Sequence, residues 1–304
     1  MKIYVSNINE SWIVDRIKEE WISNNKDITT NKIKDADIVW IISPWLWKKI
    51  SKKHLRNKIV VCSIYHFDNS DKELQDFIKR DKYVDFYHVI SENTKAQISS
   101  LTDKNIQSIP FWVNNDIFFN IDDKKNLREK YNIRNDAYLI GSFQRDTEGK
   151  DLTSPKLIKG PDRFVEIVKN LYKNDKNLQV LLTGKRRGYL INKFKELNIK
   201  YIYFEMTDFK TLNELYNCLD LYIVTSRIEG GPQAILECGI TKTPIISTDV
   251  GVAPEVLPAK SIFDMTNYLN AEPDTEYVYS QSKRFIVKSG QEMFRKMFKD
   301  IVNF

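Results

Sequence analysis

No glycine occurs before Gly141, although the chain holds ten of them among its 304 residues. A Rossmann-type phosphate turn needs glycine, both to bend and to let a ligand approach bare backbone. Any diphosphate site is therefore expected in the second half. Cysteine is equally scarce. Cys62, Cys218 and Cys238 lie far apart or inside apolar segments, which excludes a disulfide framework and any metal or redox spacing. They read as reduced core thiols of a cytosolic protein. No apolar run approaches the ~18 residues of a membrane span. Met1 leads straight into a strand, so neither a span nor a signal peptide is expected. Low-complexity tracts are missing too.

Hydrophobic residues make up 42% of the chain and aromatics 12%, ample for packed cores. The net charge of +6 is carried mainly by lysine. It reads first as solvated surface, with anionic lipid or nucleotide phosphate as the functional alternative. Nucleic acid is a poor fit, because the basic residues are scattered and no recognised module is present.

Strands and helices alternate along the chain. Strands are expected over 2–6, 36–43, 58–65, 85–90 and 105–111, then over 137–143, 178–184, 200–204, 219–224 and 244–248. A first helix carries apolar positions near Trp12, Ile13, Ile17 and Trp21, and Ser91 caps a helix over 94–101. This alternation predicts an α/β protein with two Rossmann-like domains facing a cleft. An acceptor-side domain spans 1–115, a connector 116–136 and a nucleotide-binding domain 137–285. A terminal helix over 286–304 has one apolar face, Met293, Phe294, Met297, Phe298 and Ile301, available to pack back on the first domain.

The most informative stretch runs from Thr225 to Glu255. A buried strand ends in a tight turn, Ser226 to Gly231, with Glu229 beside the paired glycines. Pro232 reads as a first helical residue, where its missing N–H is harmless. A helix is expected from Gln233 to Cys238, stopped by Gly239. Gly230 and Gly231 leave backbone N–H groups open at the positive end of that helix, a ready anion site. Glu229 can accept hydrogen bonds from sugar hydroxyls, and Glu237, eight residues on, from a ribose diol.

That spacing resembles the E-x7-E signature of family four retaining glycosyltransferases, which have the two-Rossmann (GT-B) fold. SRIEGGPQAILE is similar to the family's S-x-x-E-G-x-P-x-x-x-x-E, and ISTDVGVAPEVL to its next strand and glycine loop. The resemblance implies roles residue by residue. Arg145, after the first strand of the second half, and Lys159 of the Lys159–Gly160 pair would hold the donor diphosphate together with Gly230, Gly231 and Pro232. Glu229 would hold the hexose and Glu237 the ribose. His66, just past the third strand, would lie near the reacting sugar as a second catalytic residue; His88 reads as a satisfied core residue and His54 as exposed. Gly184 and Lys185, in another glycine-flanked loop, are placed to contact base or phosphate, or else form a solvated basic turn. The polar segment 146–155 reads as a lid or an insertion.

The chain departs from the family at Ser6–Asn9, where a glycine loop is usual, and at Phe111 and Trp112, which replace an asparagine and a glycine at the domain junction. Trp45, Leu46 and Trp47 read as core, with acceptor or membrane contact as the alternative. No D-x-D pair follows a strand in the expected setting, in keeping with the family's metal independence. The resemblance thus implies a metal-independent retaining hexosyltransferase, with no cofactor beyond the nucleotide-diphosphate sugar as co-substrate. Its acceptor would be a glycan or lipid-linked glycan, and the expected location is cytoplasmic, with peripheral contact at the inner membrane surface. A non-catalytic sugar-nucleotide-binding partner and an epimerase on the same fold are the alternatives.

Overall fold

The computed structural model describes residues 1–9 and 13–303; Trp12 and Phe304 lie outside the described residues. The chain divides into two compact units, one formed by 1–112 with 288–304 and the other by 113–287.

The first unit is built on the strands β1 (Ile3–Val5), β2 (Ile38–Ile41), β3 (Ile59–Ile64), β4 (Phe86–Val89) and β5 (Asn105–Ser108), with helices α1 (Ile13–Asn24), α2 (Lys52–Asn57), α3 (Asp71–Asp81) and α4 (Glu92–Ile98) between them. The sheet is parallel throughout, in the order β1-β2-β3-β4-β5. An isolated parallel bridge from Ile3 to Thr29 extends it beyond β1. Near-continuous apolar strands such as IVWI and IVVCSI are what a sheet covered on both faces requires.

In the second unit α5 (Lys124–Lys130) precedes β6 (Leu139–Ser142), and α6 (Pro161–Asn174), β7 (Gln179–Thr183), α7 (Gly188–Glu196), β8 (Tyr201–Phe204), α8 (Phe209–Cys218) and β9 (Leu221–Val224) follow in alternation. The unit is completed by α9 (Gln233–Thr241), β10 (Ile245–Thr248), α10 (Ala253–Val256), β11 (Ile262–Phe263) and α11 (Thr275–Ser282). Its parallel sheet has the order β11-β10-β9-β6-β7-β8. The chain winds outward from β6 through β7 to β8, returns to lay β9 beside β6, and then winds the other way. That reversal is a topological switch point, where α/β sheets bind ligands at the carboxyl ends of their strands. Residues 113–136 belong to this unit. Asn213 and Asn217 of α8 accept from the Phe119 and Ile121 amides (3.0 and 2.7 Å), and Arg128 donates to Cys218 O and Asp220.

The last helix, α12 (Val287–Val302), returns to the first unit. Phe294 stacks on Phe111, with centroids 5.6 Å apart and planes 4° from parallel, and meets Trp112 edge-on at 5.4 Å. Trp21, Trp40 and Phe298 complete the cluster. Phe111 and Trp112 are thus core residues that receive α12, which explains their departure from the family's small, polar junction. Of the tryptophan cluster, Leu46 and Trp47 are buried while Trp45 is 38% exposed.

His88 is fully buried against Phe294, with centroids 4.7 Å apart. Its Nε2 faces the Ile109 carbonyl at 2.8 Å and must donate to it, which makes Nδ1 the acceptor from Ser63 Oγ at 2.8 Å. Trp40 Nε1 donates in turn to Ser63 Oγ. The imidazole is therefore satisfied in its neutral form, and burial pushes its pKa down from 6.5 to about 4. Between those values the unfolded chain binds a proton that the folded chain does not. Stability is full above the upper value and falls with pH through the window, by about 3 kcal/mol from this group. Urea unfolding at pH 7 and pH 5 is expected to show the loss, and His88→Gln to flatten that part of the slope.

Candidate donor site at the switch point of the second sheet

The carboxyl ends of β6 and β9 lie side by side, and backbone bonds fix the turns that leave them. The Arg227 and Ile228 amides both donate to Ile158 O, at 2.8 and 3.2 Å. Thr225 Oγ1 donates to Gly160 O at 2.8 Å. The Arg227 guanidinium forks onto both oxygens of Asp162 (2.8 and 2.6 Å) and also reaches Leu157 O. Gln144 bridges the two turns, its amide donating to Lys159 O at 2.9 Å and its carbonyl accepting from Ser226 Oγ at 3.3 Å. The next strand joins through Thr248 Oγ1, which donates to Ser226 O at 2.7 Å.

This stitching brings Lys159 and Glu229 together. The Lys159 ammonium is ion-paired with Glu229 Oε1, and both side chains are largely buried. Sequence spacing assigns the two residues to different parts of a ligand, and the fold makes them neighbours. Gly230 is buried and Gly231 half-buried, directly before α9. The first amides of a helix have no acceptor within it, and the turn carrying Glu229, the partner of Lys159, leads directly into α9.

Two local expectations are corrected. Pro232 is the cap residue (φ −56°, ψ 108°), one position before the helix. Gly239 does not stop α9, which runs to Thr241 and ends at Lys242 in the left-handed region. A β-carbon on Gly239 would lie 1.9 Å from Ser282 Oγ. The glycine is there because α11 packs against α9 at that point. Glu237 is buried within α9 and accepts from Tyr216 OH at 2.8 Å. Tyr216 is itself buried, and burial together with the Glu237 carboxylate drives its pKa well above the usual phenol value. Tyr216 therefore stays a donor and orients the carboxylate.

Arg145 is exposed and anchored by Nε to Thr147 O at 2.8 Å. The segment after it is a stitched hairpin: Thr147 bridges Pro155, and the Lys156 amide donates to Asp146 O at 2.8 Å. The basic loop after β7 holds this hairpin. Arg186 O accepts from the Asp146 and Thr147 amides, and Arg186 Nη1 donates to Gly149 O. Arg187, fully buried, pairs with Asp146 at 3.1 Å and donates to Ser142 O at 2.6 Å. Burial pushes the Asp146 carboxyl up to about 6, against the pull of Arg187. Arg186 and Arg187 therefore serve the architecture, while Gly184 is half-buried and Lys185 exposed on the same loop.

His66 belongs to the other unit. It is half-buried just beyond the carboxyl end of β3. Among the described residues, no group of three or more His, Cys, Asp or Glu side chains is arranged to hold a metal ion. None of their helices is long and apolar enough to cross a membrane. Gln144, Lys156 and Tyr216 are the residues of this site that the sequence does not announce. None belongs to a recognisable motif: Gln144 follows β6, Lys156 closes the hairpin just before Lys159, and Tyr216 lies on α8, where it donates to Glu237.

With this geometry in hand, three comparisons bear on the chain. The sequence profile of the family described as "Glycosyl transferases group 1" matches residues 123–276, just over half of the chain. No curated protein matches it in sequence. Among solved structures, Anabaena HepE in complex with UDP and glucose superimposes with a TM-score of 0.75 at 12% identity, covering 99% of this chain and 100% of that one. Sucrose-phosphate synthase from Thermosynechococcus elongatus gives a TM-score of 0.71 at 13% identity, covering 98% and 81%. A glycosyltransferase from Rickettsia africae gives 0.64 at 17%, covering 97% and 84%. At these identities the likeness is one of fold: two Rossmann-like domains of the GT-B type.

Proposed function

The chain belongs to the group 1 glycosyl transferases, and from that premise we propose that it moves a hexose from a nucleotide-diphosphate sugar to an acceptor hydroxyl with retention of configuration. The observation that carries this proposal is the Lys159–Glu229 pair at the switch point, next to the glycine turn that opens α9. Lys159, Arg145 and the N–H groups around Gly230 and Gly231 neutralise the diphosphate, whose charge grows as the sugar leaves. This is what makes a metal unnecessary in the proposal. Glu229 accepts from the hexose hydroxyls, and Glu237, oriented by Tyr216, accepts from the ribose. The E-x7-E spacing, on the resemblance to family four, supports retention, with the leaving phosphate taking the acceptor's proton. His66 keeps the role the resemblance implies, and a His66→Ala variant that transfers at the parent rate removes it. The acceptor proposed is a glycan or lipid-linked glycan at the inner membrane surface.

A nucleotide panel with and without EDTA tests this first. A ligand that binds only the folded state stabilises it by mass action, about 2.7 kcal/mol at a hundred times its Kd. A chelator-insensitive rise in Tm is expected with one nucleoside diphosphate series. UDP is the first candidate, since UDP is bound in the Anabaena structure of the same fold. Arg145→Ala is expected to abolish the rise. Binding without transfer to any acceptor would favour a non-catalytic partner, turnover without an acceptor would favour an epimerase, and no shift with any nucleotide would overturn the donor site.

A further inference from the structure

The donor site holds a third cation. Lys156 ends the hairpin that starts at Arg145, and its carbonyl accepts from the Lys159 amide at 2.8 Å, so one turn of chain carries both lysines. Lys156 is half-buried and, among the described residues, its ammonium makes no ion pair or hydrogen bond. Lys159 has Glu229 as its counter-ion, whereas Lys156 and Arg145 have no carboxylate in contact among the described residues. Burial first, and then the charges of Arg145 and Lys159, lower the Lys156 pKa; Glu148 and Glu229 act in the opposite direction. Holding a half-desolvated ammonium beside two like charges is unfavourable, and an anion bound among the three offsets it.

We infer that Lys156 is a third diphosphate-binding residue and makes the site select nucleoside diphosphates over monophosphates. This rests on the donor-site reading above. Arg145 and Lys156 stand at the two ends of a hairpin stitched by Thr147–Pro155 and braced by Arg186 and Arg187. Both residues are therefore held by backbone bonds on the segment that leads into Lys159. A monophosphate offers too few oxygens to meet three cations and the α9 amides together, whereas a diphosphate offers enough.

Titration calorimetry of the full chain with UDP, UMP, uridine and inorganic pyrophosphate tests this, or with the corresponding set for whichever base stabilises it. Lys156→Met keeps the aliphatic stem and removes only the charge. It is expected to weaken the diphosphate and pyrophosphate by about 10- to 100-fold. Uridine binding should be unchanged, the UDP-over-UMP preference should shrink by the same factor, and Lys156→Arg should restore both. Its Tm without ligand is expected to equal or exceed the parent's, since a like-charge repulsion is gone. Lys156→Met with unchanged UDP affinity and preference overturns the inference while Arg145→Ala still loses UDP. A parent chain that binds no nucleotide overturns the donor-site reading itself.

Discussion

Glu229→Gln is expected to leave the fold and nucleoside diphosphate binding intact while lowering sugar transfer at least about 10²- to 10³-fold. The amide has nearly the same shape, so the backbone bonds from Arg227 and Ile228 to Ile158, which build the turn, are untouched. What changes is charge. Glu229 is the counter-ion of Lys159, and removing it leaves Arg145, Lys156 and Lys159 facing the diphosphate with less compensation. UDP is therefore expected to bind as tightly as before or more tightly. Transfer suffers because a carboxylate that accepts from hexose hydroxyls becomes an amide that presents an N–H to them. The discriminating measurement is a pair: Kd for UDP by calorimetry, and kcat for transfer or for slow donor hydrolysis. Undiminished kcat would sink the assignment of Glu229. Lys159→Met should do the opposite and lose UDP binding first, because it removes the positive member of the same pair.

The ten longer strands of the two sheets were legible because parallel strands buried on both faces are runs of apolar residues, and the helices between them were marked by caps and period. The two-residue β11 and the helix α11 carry no such signal, being short or weakly patterned. The motif around Glu229 was legible because glycine and proline positions report backbone demands directly. Gly239 shows the limit of that inference. A glycine near a helix end reads as a stop, yet here it marks the close approach of α11, a tertiary fact with no local trace. The Lys159–Glu229 contact was hidden for a related reason. The two residues are seventy positions apart, and only the reversal of strand order at β6 and β9 makes them neighbours. Phe111 and Trp112 looked like erosion of a motif, and their cause lies at the far end of the chain, in Phe294 of α12. The glycine asymmetry, by contrast, corresponds to structure: the turns at the second sheet's switch point hold Gly160, Gly230 and Gly231, while β1 runs into Ser6–Asn9.

Gly160→Ala is expected to be strongly destabilising. Gly160 closes the turn that carries Lys159 and caps α6, in the left-handed region at φ 65° and ψ 37°. An alanine there costs about 1–2 kcal/mol from backbone conformation alone. Its β-carbon would also lie 1.9 Å from Thr225 O, a backbone atom at the end of β9 that cannot rotate away. Overpacking of this kind adds about 1–3 kcal/mol, so the sum expected is about 2–5 kcal/mol. Relief requires the turn to move off β9, which breaks the Thr225–Gly160 hydrogen bond and separates Lys159 from Glu229. Stability and nucleotide binding should therefore fall together. Thr225→Val is the comparison: it removes the hydrogen bond without the clash and is expected to cost only about 1 kcal/mol, with UDP binding largely kept. Urea unfolding and UDP-dependent Tm shifts on both variants decide the matter. If Gly160→Ala is as stable as the parent and still binds UDP, the turn is not pressed against β9. The site would then owe nothing to the contact that places Lys159 beside Glu229.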